Sequence, residues 1–119
     1  MKESVLDLVR LADRLGASDL HLPVGFPPLV RIKGSLKRLG EREALTSEEV
    51  SQALAELTTP KQRKDFQSTL EIDFGYTLSE MGRLRCSAAW QREGISLSIR
   101  LLPFYIRTTD ELDLPQIYR

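Results

Sequence analysis

Along this chain the spacing of apolar residues switches between the helical period and the strand period, and each switch marks a new element. Val5, Leu8, Val9, Ala12 and Leu15 recur at helical spacing, with Ser4 placed to cap the start and Gly16 to stop the end. The period then falls to two. Leu20 and Leu22 alternate with Asp19 and His21. After the turn signals Gly25 and Pro27-Pro28, Val30 and Ile32 alternate with Arg31 and Lys33. Gly34-Ser35 is the expected reversal into a further strand from Leu36 to Leu39.

The middle of the chain returns to helix. Thr46 and Glu49 form a capping-box pattern, and Val50, Ala53, Leu54 and Leu57 follow on one face. Thr59-Pro60 reads as a second start, an N-cap followed by proline at the first helical position. That helix, Pro60 to Leu70, is mostly polar. Phe66 and Leu70 are its apolar anchors, so it is expected at the surface. Beyond it the period is two again. Ile72, Phe74, Tyr76 and Leu78 alternate with polar residues or glycine, as do Leu84, Cys86, Ala88 and Trp90, and then Ile95, Leu97, Ile99 and Leu101. Ser79 to Gly82 and Gln91 to Gly94 separate these runs as turns. Consecutive strands with one apolar face each predict an antiparallel meander packed on helices, an α+β fold.

Register follows from the requirement that apolar positions share a face, since a slip of one residue would reverse every side chain. Pairing Trp90 with Ile95 across Gln91 to Gly94 meets it. Cys86 then faces Ile99, Leu84 faces Leu101, and on the opposite face Arg85 stands across from Arg100. Like charges directly opposed on a strand pair repel, unless an anion or carboxylates sit between them. Guanidinium forks fit phosphate and carboxylate oxygens, and Arg83 lies on the same face. Two readings are open at this point: an anion-facing arginine cluster, or a solvated polar face with splayed arginines.

Composition narrows the field. A chain of 119 residues with 41% hydrophobic content makes one domain with a single core. Lys plus Arg and Asp plus Glu number 17 each, so no net charge drives binding to nucleic acid, and any anion site must be local. Cys86 is the only cysteine, so no intrachain disulfide forms. No apolar run approaches the roughly 20 residues that cross a bilayer, and no signal peptide is visible. The expectation is a cytoplasmic protein with no direct membrane insertion.

No Gly-x4-Gly-Lys-[Ser/Thr] loop and no Gly-x-Gly-x-x-Gly run occurs, so the chain has no means of building the usual phosphate cradle. Zinc needs about four clustered ligands, and His21 and Cys86 fall on different strands, so no metal site is assigned. His21 is expected to hydrogen-bond a carboxylate such as Asp19 or Glu71, and Cys86 to be a small core residue. Glu71 and Asp73 share a polar strand face and read as a solvated or salt-bridged edge. No nucleophile elbow accompanies the many serines, so no catalytic residue is nominated.

Several words in order carry a resemblance. Gly16-Ala17-Ser18-Asp19-Leu20-His21-Leu22 is followed by Gly25-Phe26-Pro27-Pro28-Leu29-Val30-Arg31-Ile32-Lys33-Gly34, then by Lys61-Gln62-Arg63-Lys64-Asp65-Phe66 and Glu71-Ile72-Asp73-Phe74. Gly82-Arg83-Leu84-Arg85, Gln91-Arg92-Glu93-Gly94, Ile99-Arg100-Leu101-Leu102-Pro103 and Glu111-Leu112-Asp113-Leu114-Pro115 complete the series. In this order they resemble the PilT family of type IV pilus retraction ATPases, a branch of the secretion ATPase superfamily. The resemblance implies a PAS-like fold, an antiparallel sheet flanked by helices, over residues 1–103. Residues 104–119 would be a linker, with a short helix capped by Thr108 and Glu111, leading to a RecA-like ATPase domain beyond Arg119.

It further implies a place in a homohexameric ring. There this domain packs on the ATPase domain of the neighbouring subunit, and its arginines reach the nucleotide bound by that subunit. By matching position this role falls to Arg85 and Arg100, with Arg83 as a third candidate. ATP and Mg would belong to the full-length parent and not to this fragment, which is not expected to be an enzyme by itself. The parent would be cytoplasmic and peripheral to the inner membrane through the pilus machinery. Cys86-Ser87 departs from the family's more usual Val-Asn after the arginine. Two alternatives stand beside this reading. One is a pilus-assembly or type II secretion ATPase, whose usual additional N-terminal domain finds no room before a helix starting near Met1. The other is a stand-alone PAS-like sensor binding a small ligand between sheet and helices, a space that Phe74, Tyr76 and Trp90 are expected to fill.

Overall fold

The computed structural model describes residues 3–92 and 94–103. The expected linker at 104–119 and its capping pattern lie outside them. Helix α1 spans Val5–Arg14, and Ser4 Oγ accepts a hydrogen bond from the Asp7 amide at 3.1 Å. Strands β1 (Asp19–Leu22), β2 (Leu29–Ile32) and β3 (Ser35–Arg38) follow, then α2 (Ser47–Leu57) and α3 (Pro60–Thr69), and last β4 (Glu71–Leu78), β5 (Gly82–Gln91) and β6 (Gly94–Pro103). Both central helices open with complete capping boxes, Thr46 with Glu49 and Thr59 with Gln62. Each such cap contributes about 1 kcal/mol by satisfying amides that the first helical turn leaves bare.

The six strands among the described residues join one antiparallel sheet in the order β3-β2-β1-β6-β5-β4. The meander β4-β5-β6 holds the expected register, with Cys86 opposite Ile99, Leu84 opposite Leu101 and Arg85 opposite Arg100. The ladder runs one pair beyond Trp90 and Ile95, to Gln91 and Gly94. The first and last strands, β1 and β6, meet at the centre and join the two halves. This is the α+β arrangement expected from the residue pattern, an antiparallel sheet with helices, as the family resemblance also implies.

One sheet face and the helices share a single core. Val5, Leu8, Val9 and Ala12 of α1, and Val50, Ala53, Leu54 and Leu57 of α2, pack with Leu20, Leu22, Leu84, Cys86, Leu97, Ile99 and Leu101. Several expected core positions fall elsewhere. Leu15 is the C-cap of α1 and is exposed, because the helix ends one residue earlier. Leu70 is the left-handed C-cap of α3 and points outward, which leaves Phe66 as that helix's anchor. Trp90 is 44% exposed and stacks on Phe66 with ring centroids 5.7 Å apart, closing an edge of the core instead of filling its centre. The β2–β3 reversal is Lys33-Gly34, not Gly34-Ser35. Both residues have positive φ, 51° and 82°, and Ile32 pairs with Ser35. A two-residue turn of this kind matches the strand twist, and glycine at its second position removes half of its steric cost.

Candidate functional site

The sheet face opposite the core is polar, and register organises it in rows. One row runs Arg31 on β2, Asp19 on β1, Arg100 on β6, Arg85 on β5 and Gly75 on β4. The next runs His21, Ser98, Ser87 and Asp73 across β1, β6, β5 and β4. Arg83 sits two residues from Arg85, beside Leu102 and Thr77. The three arginines nominated from sequence are therefore together on one exposed surface.

Strand pairing also brings in a residue that sequence reasoning had assigned only to His21. Asp19 is buried, yet its direct neighbours on both sides are arginines. Arg100 Nε donates to Asp19 Oδ1 at 3.0 Å, and Ser18 Oγ donates to Oδ2 at 2.7 Å. Arg31 Nε lies 3.9 Å from Oδ2, while its Nη1 donates to the Gly34 carbonyl at 3.0 Å. Burial by itself would raise the Asp19 carboxyl. Hydrogen bonds from Ser18 and Arg100, with the charge of Arg100, outweigh it and hold the group below the usual carboxylate range. A carboxylate thus does sit beside the opposed arginines, but only on the Arg100 side. Among the described residues no carboxylate pairs with Arg83 or Arg85. On the far side of Arg85 the row ends at Gly75, which has no side chain, and Arg83 Nη2 approaches that open position.

His21 takes a different partner from the carboxylate expected of it. Its Nδ1 shares a 3.0 Å hydrogen bond with Ser98 Oγ, the residue directly across β6. Burial pushes the imidazole below its ordinary range, and the charges of Arg31 and Arg100 reinforce this against the pull of Asp19. A neutral imidazole follows near pH 7. A shallow depression of about 640 Å³ opens over these rows, lined by Asp19, His21, Asp73, Arg85, Ser87, Ser98 and Arg100. A second of about 370 Å³ adjoins it at Gly75, Arg83, Arg85 and Leu102. Their guanidinium forks and hydroxyls suit an oxyanion, and these share the lining with the carboxylates of Asp19 and Asp73. No group of three or more His, Cys, Asp or Glu residues is placed to hold a metal ion among the described residues.

Cys86 is the small core residue expected, and burial pushes its thiol up to about 12. At pH 8 the reactive thiolate is therefore scarce. Alkylation of Cys86 in the folded chain is expected to run at least about 100-fold slower than in urea, as followed by mass spectrometry. Comparable rates in the two conditions would contradict a buried thiol.

No family model matches the chain. The chain is 31% identical over 115 residues to the type IV pilus retraction ATPase PilT of Pseudomonas aeruginosa, a match covering 97% of this chain and 33% of that protein. It is 30% identical over 112 residues to the type IV pilus ATPase PilU of the same organism, covering 94% of this chain and 29% of that one. The crystal structure of the pilus retraction motor PilT with bound ADP superposes with a TM-score of 0.80 at 32% identity, over 96% of this chain and 33% of that chain. The chain spans about a third of the length of the curated relatives it matches.

Proposed function

Given a chain that belongs to the PilT family of type IV pilus retraction ATPases, as an N-terminal domain, we propose that it is the subunit-contact and nucleotide-sensing module of a hexameric motor. The observation that carries this is the polar sheet face, where Arg85 stands directly across from Arg100 with Arg83 beside it and all three are exposed. Arg100 is paired with Asp19, but Arg83 and Arg85 have no carboxylate partner among the described residues, and an anion beside them would offset the like-charge repulsion. The chain has no phosphate-cradling loop of its own. ATP and its Mg ion are then held by the ATPase domain of the neighbouring subunit, and the arginines reach them across the subunit boundary.

Triphosphate charge shifts during cleavage. A fork already aimed at it stabilises the reacting state without reorganisation. A contact of this kind spans two subunits, so nucleotide state biases their orientation and hydrolysis becomes motion. On this reading the fragment alone hydrolyses nothing, and the ring works in the cytoplasm against pilus machinery at the inner membrane. No helix among the described residues is long and apolar enough to cross a membrane. Similarity to the pilus retraction ATPase PilT favours retraction over assembly or type II secretion. A ligand sensor is less supported, because Leu8, Leu20, Leu84, Leu97 and Ile99 occupy the space between sheet and helices.

Mixed rings test the contact across the boundary. Full-length subunits carrying Arg85→Ala are combined with subunits whose phosphate loop is disabled, each inactive by itself. Mixed hexamers should regain ATPase activity, because a sound arginine then meets a sound nucleotide site at some boundaries. Mixed hexamers that form and stay inactive would show that Arg85 does not act on the neighbour's nucleotide.

A further inference from the structure

Asp19 is the one buried charged residue among the described residues. Ionised carboxylates are rarely buried without a specific partner, and this one is satisfied on both oxygens. Its partner is held in a particular way. Asp19 engages Arg100 through Nε, and among the described residues no acceptor meets the two terminal nitrogens of that guanidinium. The Arg100 side chain remains 66% exposed. The Nε edge of the fork is anchored in the sheet, and Arg100 lines the depression that Arg85 shares.

We propose that Asp19 is a positioning residue, which fixes Arg100 by Nε and presents its terminal nitrogens beside Arg85 to an oxyanion on the neighbouring subunit. This rests on the nucleotide-sensing reading above. A free arginine must give up rotamer freedom when its ligand arrives, whereas a side chain already pinned at Nε gives up less. The two arginines therefore differ: Arg100 is pre-aimed, and Arg85 is free to follow the anion. Ser18 completes the support by occupying the second oxygen of Asp19, which keeps that carboxylate from turning away.

A double-mutant cycle in the full-length protein separates positioning from simple sheet stability. Asp19→Asn, Arg100→Ala and the combined variant are compared for kcat and KM with ATP. Asp19→Asn should lower kcat/KM by roughly 10-fold, as small displacements of a charge-stabilising group do. In the Arg100→Ala background the same change should have little further effect, because the group it aims is gone. An equal loss in both backgrounds would mean that Asp19 acts through the fold, and the proposal would fall. If Arg100→Ala keeps wild-type turnover, the nucleotide role of Arg100 fails, and this proposal with it. If Arg100→Ala is impaired while Asp19→Asn is normal, only the positioning role is lost. Arg100→Lys covers the case in which Asp19→Asn does not fold. Lysine keeps the ion pair but has no fork, so activity should fall with the melting temperature held, and full activity would overturn the proposal. In the chain itself, the Arg100 Nε–H followed by ¹⁵N NMR should exchange slowly with water and become fast in Asp19→Asn. Fast exchange already in the wild type would also count against the anchor.

Discussion

Alanine at Arg85 is expected to lower ATP turnover of the full-length protein by roughly 100-fold or more, with the melting temperature of this domain unchanged. The size follows from the role. A single charge-stabilising donor at a developing oxyanion is typically worth about 10² to 10³ in rate, and arginines supplied across a boundary to a phosphoryl group are worth more. The unchanged stability follows from the structure. Arg85 is exposed, and no carboxylate pairs with it among the described residues. It also faces Arg100 across the strand pair, so its removal relieves a like-charge contact. Arg100→Ala is a less clean experiment, since it leaves the buried Asp19 without its closest cation. Steady-state ATPase assays on assembled rings, with thermal melts of the isolated chain, check both halves. Wild-type turnover in rings that assemble normally would remove the assigned role.

The largest stability effect is expected at Leu97. Leu97→Ala should cost about 3 kcal/mol and lower the melting temperature of the chain by about 10 °C or more. Leu97 is fully buried at the middle of β6. Its cross-strand neighbours are Leu22 on β1 and Ala88 on β5. Alanine at 88 is too small to move into the space, so a cavity remains and its lining loses contacts without replacement. The position also matters for the whole architecture, because β6 is the strand that joins the β1–β3 half of the sheet to the β4–β5 half. Loosening it therefore weakens the unfolding unit that contains the arginine face. Urea titration by circular dichroism gives the free energy directly. A midpoint unchanged from the wild type would mean that this strand does not sit at the core.

Much of this molecule was legible in the sequence because the signals are local. Helix limits followed from Ser4, Thr46 and Thr59 as caps, each read from residues within one turn. The faces of β4, β5 and β6 followed from alternation. The opposition of Arg85 and Arg100 followed because a short connection leaves one register that buries every apolar side chain.

Tertiary structure alone decided what those arginines meet. Alternation assigns a side chain to a face but does not name the strand next door. Asp19 reaches Arg100 only because β1 lies against β6, a pairing between residues 81 positions apart. The same pairing gave His21 to Ser98 instead of to a carboxylate. Packing likewise sent Leu15, Leu70 and Trp90 to the edges of a core that their spacing suggested they would enter. The sequence by itself determined which residues share a face and which helices could start where, since both depend on neighbours a few residues away. Which buried carboxylate neutralises which arginine depended on closing the chain end to end, and no local pattern encodes the partner chosen in that step.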